Sequence, residues 1–273
     1  VTVRVTIDGI EVEASEGATI RDVAEVIDID IPTLCWAANL TPVNVCRLCV
    51  VEVDGSRALV PACSRPIEPE MVVTTDSERV RHSRKLVLEF LASSVDLDRA
   101  EPELLARLDE YGAQPERFGG GATKEQPAKR HDDLYVRDYA RCVLCYKCVE
   151  ACGDDAQHTF AIAIAGRGFD ARISTEYDTR LPDSACVYCG NCIAVCPTGA
   201  LTPLTEFALR ERHEWAPETQ TVTQTVCAFC GVGCNLELHV QGGEVVKVTS
   251  PVDHDITLGN LCIKGRFGWQ HLR

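Results

Sequence analysis

The sequence predicts an α+β protein made of small cysteine-bearing units strung along one chain. Three observations carry that expectation. Cys142, Cys145, Cys148 and Cys152 have the same spacing as Cys186, Cys189, Cys192 and Cys196, C-x2-C-x2-C-x3-C in both runs. The first residues, Val1, Val3, Val5 and Ile7, alternate with polar neighbours as a half-buried strand does. A third pattern, C-x2-C-x3-C-x27-C, comes last with Cys227, Cys230, Cys234 and Cys262.

The 273 residues are enough for about two or three small domains. Acidic residues outnumber basic ones, 41 to 27, which argues against a nucleic-acid partner. No run of about 18 apolar residues occurs, so no membrane span is expected. No signal-peptide pattern opens the chain, and its many thiols suit a reducing, cytoplasmic compartment. The chain begins with Val1 rather than Met, so the natural start is expected upstream.

Residues 1–78 read as a small, mostly β domain. Asp8-Gly9 marks a tight hairpin turn, with Ile10 to Ala14 as the returning strand. Thr19 to Ile27 is a short helix with Ile20, Val23, Ala24 and Ile27 on one face. A second hairpin runs from Cys49 to Val60 around Asp54-Gly55, and Met71 to Thr74 is a last strand. The domain carries Cys35, Cys46, Cys49 and Cys63, spaced C-x10-C-x2-C-x13-C. A central CxxC with one distant cysteine on each side can wrap a two-iron cluster, and a structural zinc site is the alternative.

Residues 79–137 read as a helical linker. Thr75 and Glu78 suggest a capping box, and Val80, Val87, Leu88 and Leu91 recur at helical spacing. His82 reads as a surface residue of that helix. Pro102 to Tyr111 is a second, short helix. Gly119-Gly120-Gly121 lacks the Lys-Ser/Thr of a phosphate cradle and reads as a loop. Lys124, Lys129, Arg130 and His131 read as a solvated stretch.

Residues 138–206 hold the paired runs, and apolar Phe160 to Ala165 suits a hairpin between the two halves. The second run ends in Cys196-Pro197, as bacterial ferredoxin runs do. Three cysteines at this spacing share one tight loop, and the fourth points to the neighbouring cluster. One [4Fe-4S] cluster is therefore expected on Cys142, Cys145, Cys148 and Cys196. The other is expected on Cys186, Cys189, Cys192 and Cys152. Tyr146, Lys147 and Tyr188 lie between ligands, where packing or tuning of the clusters would employ them. Residues 207–221 read as a polar linker, and 222–273 as a β-rich third unit with a hairpin over Leu236 to Val248.

Two resemblances extend this reading. The fragments "IPTLCW", "VNVCRLCVVEVDG" and "PACSRPI" resemble the N-terminal [2Fe-2S] domain shared by the large iron–sulfur subunit of complex I, iron-only hydrogenases and NAD-dependent formate dehydrogenases. That resemblance implies a β-grasp fold. The relatives carry a further cluster held by one histidine and three cysteines. Here Val95 and Arg99 stand at the histidine and first cysteine positions, and no cysteine occurs between Cys63 and Cys142, so that cluster is not expected.

"CAFCGVGC" and "GNLCIKGRFGW" resemble the N-terminal [4Fe-4S] domain of molybdenum or tungsten bis-pterin oxidoreductases, formate dehydrogenases in particular. The resemblance implies a cluster on Cys227, Cys230, Cys234 and Cys262, with Lys264 between it and a bis-MGD cofactor. A solvent-facing lysine in a turn is the alternative for Lys264. The catalytic Mo/W-pterin domain is expected in a continuation of the chain or in a partner chain. An FMN- and NAD-binding iron–sulfur subunit is the implied acceptor. The implied role is electron relay in a formate dehydrogenase. A complex I-like subunit or a stand-alone electron carrier is the alternative.

All sixteen cysteines are used by this assignment. Iron and sulfide analysis with EPR should find one [2Fe-2S] and three [4Fe-4S] clusters. Stoichiometric zinc at any quartet would contradict it.

Overall fold

The hairpin at Asp8-Gly9 forms because both turn residues adopt positive φ, 47° and 82°, which matches the twist of paired strands. It joins β1 (Thr2–Ile7) to β2 (Ile10–Ser15) over six residue pairs. The computed structural model describes residues 1–119 and 127–272. They fall into two compact units, one of Val1–Trp36 and Pro42–Thr123, the other of Ala37–Thr41 and Lys124–Arg273.

In the first unit α1 (Ile20–Val26) follows the hairpin. The Thr19 hydroxyl accepts the Asp22 N–H and the Asp22 carboxylate accepts the Thr19 N–H, so the helix start is reciprocally capped. Strands β3 (Val50–Val53), β4 (Val60–Pro61) and β5 (Val72–Thr74) complete a five-stranded sheet of order β2-β1-β5-β3-β4. Only the β1–β5 pairing is parallel. Val5, Ile7, Ile20, Val23, Val51 and Val73 form its core.

Helix α2 (Glu78–Ser94) starts later than the Thr75/Glu78 pattern suggests. Ser77 is the cap, its hydroxyl accepting the Val80 N–H at 3.2 Å. Thr75 is drawn off to the β1–β2 turn, where its N–H donates to Asp8 at 2.7 Å. His82 is exposed, as expected.

Helix α3 (Pro102–Glu110) and a 3-10 turn at Pro115–Phe118 fold back on α2. Two buried charges hold them. Arg84 donates to the Tyr111 hydroxyl at 2.9 Å and to the Val50 carbonyl at 3.0 Å. Glu89 accepts from the Gln114 N–H at 3.0 Å and from Arg117 at 2.9 Å. Phe90 and Phe118 rings lie 4.3 Å apart. The segment after Val95 is thus packed rather than loosely linking. Gly120, Gly121 and Lys124, part of the loop and basic stretch read from sequence, lie outside the described residues.

The second unit begins with β6 (Tyr135–Arg137), within the stretch read as linker. The basic residues before it are held in place. Lys129 pairs with Asp178 at 2.7 Å, His131 bonds Arg137 at 2.9 Å, and Arg130 lies over the Phe207 ring at 4.4 Å. Then follow α4 (Lys147–Cys152), β7 (Ala163–Ala165), β8 (Arg172–Ser174), α5 (Asn191–Ala194) and β9 (Leu201–Pro203). β6 pairs with β9 and β7 with β8, so the apolar stretch between the runs does enter a hairpin.

Helix α6 (Leu204–Glu211) occupies much of the stretch read as a polar linker. It buries Phe207 and Glu206, and Glu206 is paired with Arg210 at 2.7 Å and Lys247 at 3.4 Å. Strands β10 (Thr221–Val226), β11 (Asn235–Gln241) and β12 (Glu244–Thr249) form an antiparallel sheet, and α7 (Ile263–Phe267) packs on β12.

Glu89→Ala removes the acceptor shared by Gln114 and Arg117. It should cost about 2 kcal/mol in urea unfolding and open the segment around α3 to limited proteolysis. An unchanged midpoint would show that Glu89 does not anchor it.

Candidate metal centres

In the first unit the loop before β3 brings the early cysteines together. Asn44 and Arg47 take positive φ, 64° and 60°, and this curls the backbone around Cys46 and Cys49. Cys35, Cys49 and Cys63 are buried. The Cys49 and Cys63 sulfurs lie 3.3 Å apart, and the Leu48 N–H reaches the Cys46 sulfur at 3.5 Å. The hydrogen bond from Cys46 holds the Cys35 thiol down to about 5, and backbone N–H groups of Cys46, Val45 and Asn44 act in the same sense. The hydrogen bond from Cys63 lowers Cys49 to about 7. Cys46 and Cys63 are correspondingly raised, as the partners left holding the protons. Two sulfurs are poised as thiolates inside an apolar core, a donor set that fits ferric ions.

The two tandem runs have the same backbone as well as the same spacing. Leu144 and Tyr146 take φ of 53° and 64°, and Tyr188 and Gly190, at the equivalent positions, take 57° and 74°. Each loop then enters a short helix, α4 or α5, that carries the third cysteine. Cys148 is raised by burial and then by Cys145, Cys142 and Cys196. Cys192 is raised by burial and then by Cys189, Cys152 and Cys186. Each of these two buried thiols therefore feels sulfurs of both runs.

Cys152, Cys186, Cys189 and Cys192 line one small cavity together with Tyr135, Ile162 and Leu201. Among the described residues no three His, Cys, Asp or Glu side chains are placed for a single metal ion. A site rimmed by four sulfurs has the donor set a cubane needs. The Tyr135 hydroxyl lies 3.5 Å from the Cys186 sulfur and the Thr159 hydroxyl 3.4 Å from that of Cys152. A metal-bound thiolate has no proton, so both hydroxyls would be donors there. Sequence reasoning missed both, because neither neighbours a cysteine in the chain. Tyr188 makes an edge contact with Tyr135, ring centroids 6.2 Å apart, and Tyr146 caps α4.

In the last group Cys234 is raised by burial and then by Cys227, Cys262 and Cys230. The Cys227 N–H donates to the Cys234 carbonyl at 2.8 Å and closes the loop between them. Cys230 and Cys262 are exposed, and so is Lys264 on the first turn of α7. None of the sixteen cysteines is joined in a disulfide.

Family models match all three cysteine-bearing regions. A 2Fe-2S iron–sulfur cluster binding domain covers residues 1–78. The ferredoxin-like domain of NADH-quinone oxidoreductase subunit 3 covers 133–202, and the molybdopterin oxidoreductase Fe4S4 domain covers 220–273. The NADPH-Fe(3+) oxidoreductase subunit alpha of Geobacter sulfurreducens is 36% identical over 99% of this chain. An NADH-quinone oxidoreductase subunit of Rhizobium meliloti is 32% identical over 97%. This chain belongs to the N-terminal iron–sulfur region shared by NADH-quinone oxidoreductase and formate dehydrogenase-like alpha subunits.

A Staphylococcus haemolyticus protein named in the formate dehydrogenase class is 27% identical over 98% of the chain. The chain spans 31% of the length of each of these relatives. A crystal structure of NAD+-reducing [NiFe]-hydrogenase matches with a TM-score of 0.66 at 27% identity, covering 74% of this chain and 87% of that one. Among the described residues no helix is long and apolar enough to cross a membrane.

The second ferredoxin-like loop passes close under α7. A Cβ on Gly190 would lie 2.3 Å from the Arg266 side chain, and the residue's φ of 74° is left-handed. Gly190→Ala should therefore cost about 1–2 kcal/mol in backbone strain alone, with the clash in addition. It should also lower iron content and the EPR signal of one four-iron site. Full iron loading at wild-type stability would refute the packing argument.

Proposed function

We propose that this chain carries electrons within a larger NAD(P)-linked oxidoreductase of the formate dehydrogenase type. The reading is supported by family matches to a 2Fe-2S domain, a ferredoxin-like domain and a molybdopterin-type Fe4S4 domain, which between them cover all sixteen cysteines. Iron–sulfur clusters, when bound, supply one-electron storage without proton transfer. The chain's own residues supply spacing, burial and the electrostatics around each group.

The ligand sets we assign are Cys35, Cys46, Cys49 and Cys63 for a [2Fe-2S] cluster, and three [4Fe-4S] sets. The latter are Cys142, Cys145, Cys148 and Cys196; Cys152, Cys186, Cys189 and Cys192; and Cys227, Cys230, Cys234 and Cys262. The first sheet, with α1 packed on it, is read as a β-grasp. The domains we assign are 1–78, 138–206 and 222–273, with α6 following the middle one.

The exposed face at Cys230, Cys262 and Lys264 suits contact with a Mo/W-bis-MGD catalytic domain. An FMN- and NAD-binding subunit is the partner at the other end of the path, in a cytoplasmic complex. Formate as the electron source is supported by the staphylococcal relative. A second reading, in which a pyridine nucleotide is the substrate oxidised, is favoured by the names of the two relatives of higher identity.

Molybdenum, tungsten and pterin analysis of the intact complex separates the readings, together with formate-dependent reduction of its iron–sulfur EPR signals. In the formate reading, Cys145→Ser or Cys189→Ser should abolish NAD reduction. Formate oxidation by a dye that takes electrons near the metal should be retained. Loss of both activities with pterin and metal loaded would overturn the relay role. Absence of Mo, W and formate-dependent reduction would leave the second reading.

A further inference from the structure

Arg266 is a buried cation without a carboxylate. Its side chain is 4% exposed, and it lies on α7, one helical turn after Cys262. Nε donates to the Cys189 carbonyl at 3.1 Å. Nη1 reaches the Val248 carbonyl at 3.4 Å, and Nη2 reaches the Asn191 side-chain oxygen at 3.2 Å and the Gly259 carbonyl at 3.5 Å. All of these acceptors are neutral. Among the described residues, the Cys189 and Cys192 sulfurs are the groups that act on it to favour its charge. A guanidinium stays protonated at neutral pH.

An isolated buried charge is strongly unfavourable unless an opposite charge lies close. The thiolate-ligated cluster assigned to Cys152, Cys186, Cys189 and Cys192 carries net negative charge, and it gains more on reduction. It is therefore the counter-ion this guanidinium lacks. The attraction is stronger in the reduced state, and a low-dielectric setting enlarges the difference. The effect of such a cation is to favour reduction, since cluster potential follows nearby charge and hydrogen bonding.

The same side chain fixes geometry. Asn191, buried between Gly190 and Cys192, accepts from Arg266 and also from the Leu261 N–H at 3.0 Å. Leu261 precedes Cys262. Residues adjoining a ligand of the ferredoxin-like site and a ligand of the last site are thus joined by one hydrogen bond, and Arg266 braces it.

We propose that Arg266 is a positioning and tuning residue that raises the reduction potential of the cluster on Cys152, Cys186, Cys189 and Cys192, and fixes that cluster against the last one. The proposal rests on the cluster assignment above. One electron enters this cluster from the reductant, no bond is made or broken, and Arg266 keeps its proton throughout.

The test is an EPR-monitored redox titration of the intact, cluster-loaded complex, comparing wild type with R266Q, R266M and R266K. The neutral variants should lower the midpoint of one four-iron cluster by at least a tenfold change in the reduced-to-oxidised ratio at fixed potential, about 59 mV for a one-electron couple. R266K should stay within that margin, and the [2Fe-2S] midpoint should not move. A loaded cluster at the wild-type midpoint in R266Q or R266M overturns the tuning role. If neither neutral variant loads the site while R266K does, a positive charge is still required there and the proposal stands. If R266K also fails to load, the shape of arginine rather than its charge is what matters, and the proposal falls. A wild-type complex without paired [4Fe-4S] signals would instead overturn the underlying assignment.

Discussion

Packing four thiols into one apolar site is unfavourable unless something positive is placed among them. This constraint governs the molecule. Cys148 and Cys192 are pushed up by burial and by their neighbouring sulfurs together. In the first unit the conflict is resolved differently, with one sulfur of each close pair tending to thiolate and the other keeping the proton. Iron held by the proposed ligand sets would remove that conflict, and metal binding would then be coupled to folding. The loops around the groups have little regular structure. They rely on left-handed turns at non-glycine residues such as Arg47, Leu144 and Tyr188, conformations that need enforcement from outside the loop.

Much of this was legible in the sequence because cysteine spacing reports local loop geometry directly. The proposed exchange of Cys152 and Cys196 between the two runs rests on that spacing. The Asp8-Gly9 hairpin and the Thr19 helix start were equally local. What stayed hidden depended on distant partners. Thr75 matched a capping pattern, yet Asp8, brought near by the parallel β1–β5 pairing, takes its hydrogen bonds. Helix α6 was hidden by its charge, because Glu206 looks solvated until Lys247 of a later strand is seen beside it. Arg266 lies in a stretch whose resemblance drew attention to Lys264 instead. Burial of an arginine leaves no mark in a linear pattern.

The segment after Val95 shows a further kind of substitution. Where the resemblance implies ligands, this chain carries a short helix, an aromatic contact and two buried anchors, Arg84 hydrogen-bonded to Tyr111 and Glu89 paired with Arg117. Arg84 and Glu89 lie on the α2 side of that contact, so the sequence of α2 is matched to the segment that covers it.

The proposed crossing of Cys152 and Cys196 has a consequence for how the protein is made. Neither half of the ferredoxin-like repeat can complete a four-sulfur group from its own run. A half translated or folded alone would expose three thiols and lend a fourth to nothing. On that assignment the two halves are interlocked, and damage to either run unties both. The duplicated motif is accordingly a single indivisible part, and its repetition gives no redundancy.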